Sequence, residues 1–278
     1  MKPEISVILA VYNEGKYLKK CLESLAKQEK VNFEVIVVDD GSVVQITNYK
    51  LQITNDERFR CFRISHRGTA KARNFGVPKA KGEILVFLDG DMRFEKDFLA
   101  KLTAPIRKGK TKGTFSTEEL VANWDNLWAR CWNWENGLPD KRRINPKRTD
   151  MVRDFRAILK SEFDKVGGFD DIGYTDTWSL SEKLGYRPES VKEAIYYHYN
   201  PSGLLEIFRQ AAWIGGRHRR FGLLGKAVAL ARASLPVSLL MGTLKGLIKA
   251  EPGFILFKLV YDIGIIAGIS ASLASQKR

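Results

Sequence analysis

Two aspartates separated by one glycine, Asp89-Gly90-Asp91, close an apolar run at residues 84–88. Carboxylates at that spacing can hold a hard divalent cation against a diphosphate, because such a cation takes one or two carboxylate oxygens and fills its shell from phosphate and water. Alone, the pattern is common and reads equally as a turn with helix-capping aspartates. Two further clusters add weight. Asp39-Asp40-Gly41-Ser42 follows the apolar run 33–38, and Asn13-Glu14-Gly15 follows the apolar run 5–11. Three polar or acidic clusters, each at the end of an apolar run, point to one polar rim on a buried scaffold.

The scaffold that would bring them side by side is a mostly parallel sheet. Residues 5–11, 33–38 and 84–88 are almost wholly apolar, broken only by Ser6 and Glu34, and 60–64 is a weaker third run in chain order. Between them Tyr17, Leu18, Cys21, Leu22 and Leu25 recur at helical spacing, and 70–80 reads as another helix. Strands apolar on both faces that alternate with helices predict an α/β sheet covered on both sides. In such sheets ligands bind beyond the carboxyl ends of the strands, where all three clusters fall.

Composition narrows the partners. The 278 residues carry a formal net charge of +14, a surplus that calls for an anionic partner such as phosphate or acidic lipid. No zinc-finger spacing or aromatic RNA-binding signature accompanies it, so nucleic acid is not expected. Cys21, Cys61 and Cys131 are odd in number and widely spaced, which argues against a disulfide framework or structural zinc and fits a reducing compartment. The run 5–10 is too short for a signal-peptide core and reads as a first strand.

Beyond residue 113 the chain is less regular. Trp124, Trp128 and Trp132 lie four apart and would share one face of a helix, more readily as a core stripe than as a ligand platform. Lys141-Arg142-Arg143 and Lys147-Arg148 form a basic loop expected to be solvated or to meet acidic lipid heads. The tail changes character: after Arg217, Arg219 and Arg220 come an interrupted apolar stretch, 223–248, and a cleaner one, 253–275. Lys258 and Asp262 can neutralise each other across one helical turn, and Gly264, Gly268 and Ser272 form a small-residue ladder suited to close helix packing. With cations on both flanks, a helical hairpin lying in or dipping into the cytoplasmic leaflet is expected, the second run being just long enough to span.

In order and spacing, the segments Val7-Ile8-Leu9-Ala10-Val11-Tyr12-Asn13-Glu14, Val37-Val38-Asp39-Asp40-Gly41-Ser42, Ala72-Arg73-Asn74-Phe75-Gly76, Ala80-Lys81-Gly82-Glu83 and Leu88-Asp89-Gly90-Asp91 resemble glycosyltransferase family 2. Phe155-Arg156-Ala157, Gly167-Gly168-Phe169-Asp170 and Thr175-Asp176 resemble that family's acceptor-side half, so the likeness covers about the first 215 residues. The resemblance implies a GT-A fold (Rossmann-like, α/β) with the helical membrane-associating hairpin appended. It implies a catalytic domain over 1–220, with a donor half to about 112 and an acceptor half from 113; the apolar, basic composition beyond it marks a membrane-associated tail over 221–278.

The resemblance also assigns roles. Ala10, Tyr12 and Glu14 would line the base and ribose end of a nucleotide-sugar donor. Asp39 would accept a hydrogen bond from uracil or guanine, with Asp40 close by. Lys71 and Arg73 would neutralise phosphate. Asp91 would bind a divalent cation, Mn²⁺ or Mg²⁺, with Asp89 across Gly90 on ribose or the metal and His198 completing the site. Asp176 would be the base that takes the proton from an acceptor hydroxyl in an inverting transfer. Asp170 and Asp171 are rivals for that role. Arg156 and Trp178 fall on the acceptor side, and Gln210, Trp213 and Arg217 loosely resemble a donor-closing helix. The chain departs from the family pattern where Thr175 replaces the usual Glu before Asp176, and again where 43–47 replaces the usual Thr-Asp after Gly41-Ser42.

Together these readings predict an enzyme at the cytoplasmic face of the cell membrane, moving a sugar from a UDP- or GDP-linked donor to a lipid-linked glycan or glycolipid hydroxyl. A polyprenyl-phosphate acceptor is the enzymatic alternative, and a non-catalytic membrane-bound relative the other. A sugar-nucleotide pyrophosphorylase would want a Gly-rich phosphate loop after the first strand, and an NAD-binding protein GxGxxG there; Val11-Tyr12-Asn13-Glu14-Gly15 is neither.

Overall fold

The computed structural model describes residues 2–44, 56–147, 149, 152–171, 177–217 and 221–275. The chain forms two compact units, one of Met1–Ala122 with Arg142–Tyr199, the other of Asn123–Lys141 with Asn200–Arg278.

The first unit opens with β1 (Ile5–Val11), α1 (Gly15–Ala26), β2 (Phe33–Asp39), β3 (Phe59–Arg63), α2 (Thr69–Gly76) and β4 (Ile84–Asp89). It continues through β5 (Met92–Phe94), α3 (Phe98–Arg107), β6 (Gly113–Ser116) and β7 (Glu119–Val121). The chain re-enters it with β8 (Ala157–Leu159), α5 (Lys160–Lys165), α6 (Trp178–Leu184), β9 (Glu189–Val191) and β10 (Tyr196–His198); α4 (Leu127–Glu135) belongs to the second unit. The large sheet has the order β3-β2-β1-β4-β8-β6-β9. The first four strands in that order are parallel, as expected, while β8 runs antiparallel to β4 and β6, so the sheet is mixed.

Every residue of β1 and β2 is buried, as their largely apolar runs require, and the polar pair inside those runs, Ser6 and Glu34, is bonded together. Successive side chains point to opposite faces. Val7, Leu9, Val35, Val37, Val86 and Leu88 meet Leu18, Leu22 and Leu25 of α1 and Leu99 and Leu102 of α3. Ile8, Ile36, Leu85 and Phe87 meet Ala70 and Ala72 of α2 and the aromatic pair Phe163 and Phe169. A β-carbon at Gly76 would stand 2.9 Å from Ile8, so the last turn of α2 rests directly on the sheet. That helix is shorter than the expected 70–80, because Pro78 lies in a separate 3-10 turn over Val77–Lys79.

The second unit is helical: α4 (Leu127–Glu135), α7 (Leu204–Gly216), α8 (Gly222–Arg232), α9 (Leu235–Ile248) and α10 (Gly253–Ser275). Asn126 caps α4, its side chain accepting from the Ala129 amide at 3.0 Å. The cap leaves Trp124 outside the helix, so the expected three-tryptophan stripe is broken. Trp132 is buried against Tyr261, and Trp124 meets Trp134 edge-on at 5.8 Å. By length and composition α10 could cross a membrane, and α8 with α9 forms a pair bent by 62°. All three cysteines are free.

Candidate active site

Parallel pairing does what the sequence pattern calls for. In register, Ala10 of β1 stands beside Val38 of β2 and Asp89 of β4, and Val11 stands beside Asp39. The three polar clusters therefore meet at one carboxyl edge. Asn13 and Ser42 stitch two of them together: the Asn13 amide donates to Ser42 Oγ at 2.9 Å, and the Val43 amide donates to Asn13 Oδ1 at 2.9 Å. Asn13 adopts a positive φ of 57° to make this turn, which asparagine tolerates better than most residues. A cleft of about 320 Å³ opens there, lined by Val11, Asn13, Glu14, Lys16, Ser42 and Val44.

The two aspartates of the second cluster are bound differently. Asp39 Oδ1 accepts from the Ser42 amide at 2.9 Å, and its other oxygen lies 3.4 Å from Arg63. Asp40 is spent on the entry to α2: Oδ1 accepts from the Arg67 amide and Oδ2 from the Gly68 amide, both at 2.8 Å, with His66 Nδ1 at 2.9 Å. His66 also stacks on the exposed ring of Tyr12, centroids 4.0 Å apart. Gly41, at φ 79°, lets this loop close, since a β-carbon there would stand 2.7 Å from the His66 amide. Asp40 thus works as a turn anchor, and the Tyr12–His66 stack is an aromatic platform that no sequence motif announced.

Asp89 is clamped by two arginines. Arg73 of α2, itself buried, donates to Oδ1 at 2.6 Å, and Arg156 to Oδ2 at 3.3 Å. Burial works to raise the Asp89 carboxyl, but Arg73, Arg156 and His198 outweigh it and bring it to about 2. Arg73, expected on phosphate, and Arg156, expected on the acceptor side, are thus both directed at Asp89. Lys71 instead pairs with Asp171 at 2.7 Å and is half exposed. Lys183 holds Asp170 at 2.7 Å, and Trp178, at the start of α6, lies under Arg153. Asp176 lies outside the described residues.

Asp91 faces a different partner. The antiparallel pairing of β5 with β10 sets His198 opposite Met92, and His198 Nε2 lies 3.0 Å from Asp91 Oδ2. On the other side of the ring Nδ1 lies 2.7 Å from Glu119 Oε1, and Glu119 pairs with Arg143 at 3.2 Å. Burial and Arg143 both press the imidazole toward neutrality, yet Asp91 and Glu119 carry its pKa above the ordinary histidine value. For Glu119 burial is again the largest effect and raises it, but His198 and Arg143 hold the carboxyl below its usual range. Sequence reading passed over Glu119, which belongs to no motif, and assigned Arg143 to a solvated loop. In the structure that loop is not free: Arg142 pairs with Glu118 at 3.0 Å as Arg143 does with Glu119.

Two oxygens on this rim have no hydrogen-bond partner among the described residues, Oδ1 of Asp91 and Oε2 of Glu14, and both are buried. Burial, then the nearby charges of Asp91 and Asp89, push Glu14 well above the usual carboxylate range. A β-carbon at Gly90 would collide with Glu14 Oε2, so in this arrangement Glu14 packs directly over the glycine between the two aspartates. Among the described residues no group of three or more His, Cys, Asp and Glu side chains is gathered around a common point ready for a metal ion. What is present is a pair, Asp91 and His198, with an unsatisfied carboxylate oxygen. A hard divalent cation that draws its remaining ligands from phosphate and water fits that donor set, and Glu119 supplies the outer carboxylate that ligating histidines typically engage.

Comparison with known proteins gives a family and a fold. Residues 6–167 match the family described as Glycosyl transferase family 2. An uncharacterized glycosyltransferase of Haemophilus influenzae is 38% identical over 232 residues, covering 76% of this chain and 86% of its own. The putative glycosyltransferase EpsH of Bacillus subtilis is 35% identical over 101 residues, a stretch that is 36% of this chain and 29% of EpsH; the matches thus span anything from under a third to most of such relatives. Among solved structures, S. aureus TarS 1-349 in complex with UDP-GlcNAc superposes with a TM-score of 0.58 at 18% identity, covering 99% of this chain and 92% of that one. The mannosyltransferase PcManGT from Pyrobaculum calidifontis, in complex with GDP-Man and Mn²⁺, gives 0.60 at 20% identity, covering 99% and 88%. At such identities the likeness is one of fold.

Proposed function

The chain belongs to glycosyl transferase family 2, and from that premise we propose that it is an inverting enzyme that takes a sugar from a UDP- or GDP-linked donor and passes it to a hydroxyl of a lipid-linked glycan or glycolipid. Its α/β architecture is that of GT-A glycosyltransferases, with apolar helices at the C-terminal end suited to membrane contact. We place the transfer chemistry within residues 1–220, donor half before acceptor half, and the membrane association within 221–278, on the cytoplasmic face.

The observation that carries the reading is the acidic rim at the ends of β1, β2 and β4, where Asp89 is fixed by two arginines and Asp91 keeps a buried oxygen without a partner among the described residues. In this reading the cleft beside Asn13, Glu14 and Ser42 takes the nucleoside, Ala10 and Tyr12 bound its mouth, and Asp39 accepts from the base. Asp89 points toward ribose, its charge kept by Arg73 and Arg156. Asp91 and His198 would hold a divalent cation, Mn²⁺ or Mg²⁺, which when bound supplies positive charge to the departing nucleoside diphosphate. Glu119 keeps His198 oriented for that task. Support for the donor class comes from the relatives in complex with UDP-GlcNAc and with GDP-Man and Mn²⁺.

On the acceptor side Asp176 takes the proton of the attacking hydroxyl. Asp170 and Asp171, its rivals, are each tied to a lysine. The deciding experiment is thermal stabilisation by UDP and by GDP with and without Mn²⁺, followed by a screen for donor hydrolysis. Metal-enhanced stabilisation by one nucleotide is expected; no response to either with any metal sinks the proposal.

A further inference from the structure

We infer that the bent pair α8–α9, and not the long helix α10, is the surface that meets lipid: an anionic membrane leaflet covers the outer apolar face of the pair, while α10 stays packed inside its own unit. The inference rests on the membrane association proposed above and assigns the contact surface for it.

Helix α10 has the length and hydropathy of a span, but its surroundings are those of a core. Phe254, Phe257, Ile265 and Ile269 are buried. Gly264 and Gly268 bring it into backbone contact with α7: a β-carbon at Gly264 would stand 2.7 Å from the Phe208 carbonyl oxygen, and one at Gly268 would collide with that of Ala212. Its charges are engaged within the unit. Lys258 Nζ reaches Asp262 at 2.8 Å and Glu135 of α4 at 2.9 Å, and Ser238 of α9 donates to Asp262 at 2.6 Å.

Helix α9 has the opposite polarity to a helix on a water-soluble protein. Small residues, Ser238, Gly242 and Gly246, face inward, while Leu240 and Leu247 are 66% and 76% exposed, with Leu235 and Ile248 beside them. In α8, Lys226 and Ala229 are buried, and Leu223 and Leu224 are out. Helices at a water interface bury their large apolar residues and expose their charges. The reverse arrangement is stable where the solvent is hydrocarbon and helix contacts use small and polar residues. Charge says which lipid: residues 217–250 hold no acid, and Arg232 of α8 and Lys249 just after α9 are exposed, the latter also pairing with Asp140. The bare face thus carries cations and no carboxylate of its own, which suits anionic headgroups. Length says how deep: α8 and α9, with 11 and 14 residues at about 1.5 Å each, are individually too short for a core of about 30 Å and are bent at their junction. They lie in one leaflet.

The test is flotation of the full chain with phosphatidylcholine vesicles, with and without phosphatidylglycerol. Binding is expected to favour the phosphatidylglycerol vesicles, to weaken in high salt, and to be released by alkaline carbonate. Leu240→Glu with Leu247→Glu should lower partition by about tenfold or more. Ile263→Glu, at an exposed position of α10, should leave it unchanged; circular dichroism confirms that both variants fold. An equal loss from Ile263→Glu, or resistance to carbonate, overturns the inference while membrane association stands. A lipid-free dimer dissociated by the double variant also overturns it, by giving the face to a second copy. If wild-type protein floats with neither vesicle, the membrane association itself is wrong.

Discussion

At the scale of the residue, Asp89 and Asp91 share a motif and do different things. Asp89 has both oxygens paired with arginine; Asp91 has one oxygen toward His198 and one with no partner among the described residues. Asp91→Asn should therefore abolish transfer and remove any metal enhancement of nucleotide binding, read by calorimetry with UDP or GDP and Mn²⁺. Full activity of wild-type enzyme in EDTA would refute that. Glu119 acts through His198, so Glu119→Gln should weaken Mn²⁺ binding by about 10–100-fold, measured by paramagnetic resonance of free Mn²⁺, with metal-free nucleotide binding unchanged. A variant that binds Mn²⁺ as the wild type does would leave Glu119 a purely structural residue. Asp176→Asn keeps size and most hydrogen bonding, and should lower turnover by about 10²–10⁴-fold with donor affinity nearly constant. Near-normal transfer would point to Asp170, Asp171 or an acceptor that is already an anion, such as a polyprenyl phosphate.

At the scale of the element, one buried carboxylate ties three strands and a loop. Glu34 of β2 accepts from Ser6 Oγ of β1 at 2.7 Å and from the Lys81 amide at 2.6 Å, and pairs with Arg60 of β3 at 2.7 Å. Burial opposes its ionised form, but the Lys81 amide, Ser6 and Arg60 prevail and hold its pKa below the ordinary glutamate value. A carboxyl whose folded pKa is depressed stabilises the fold fully above its unfolded pKa, and that contribution disappears as pH falls through the folded value. Glu34→Gln should cost about 2 kcal/mol near neutrality. The gap in melting temperature between variant and wild type should close in acid, below about pH 4. A gap that stays constant from neutral to acid pH would show that the charge of Glu34 contributes nothing.

At the scale of the molecule, the second unit is held together by the helix that sequence alone would set aside as an anchor. Phe254 and Phe257 of α10 share a cluster with Cys131, Trp132 and Ile207, and Ile265 and Ile269 share one with Ala211 and Ala229. The tail is therefore not a detachable appendage of an otherwise finished surface. Removing residues 223–278 would uncover the apolar sides of α4 and α7, a loss of core rather than of an anchor. The truncated chain should aggregate, seen as void-volume elution on size exclusion with loss of cooperative melting. A soluble, monomeric truncation with a sharp transition would show that the first unit and the remnant of the second stand without α10.

How much of this was legible beforehand follows from what kind of interaction decides each feature. Strands β1, β2 and β4 and the polar clusters behind them were readable because burial on both faces forces largely apolar runs, and parallel register then has one outcome, a shared carboxyl edge. The pairing of α10's Lys258 with Asp262 was readable for the same local reason, one helical turn. The antiparallel β8 was not, since a three-residue strand carries no periodicity of its own and its direction is set by its neighbours. Nor was the placement of Trp124, which depended on where Asn126 began the helix. The partners of Asp89, Arg73 and Arg156, come from 16 and 67 residues away, and the Asp91–His198–Glu119 array joins residues 107 and 79 positions apart. Composition determined that an apolar, basic tail exists. Which of its helices is covered and which is bare was decided only in the folded chain, because the small residues that look weak in sequence are the ones that pack.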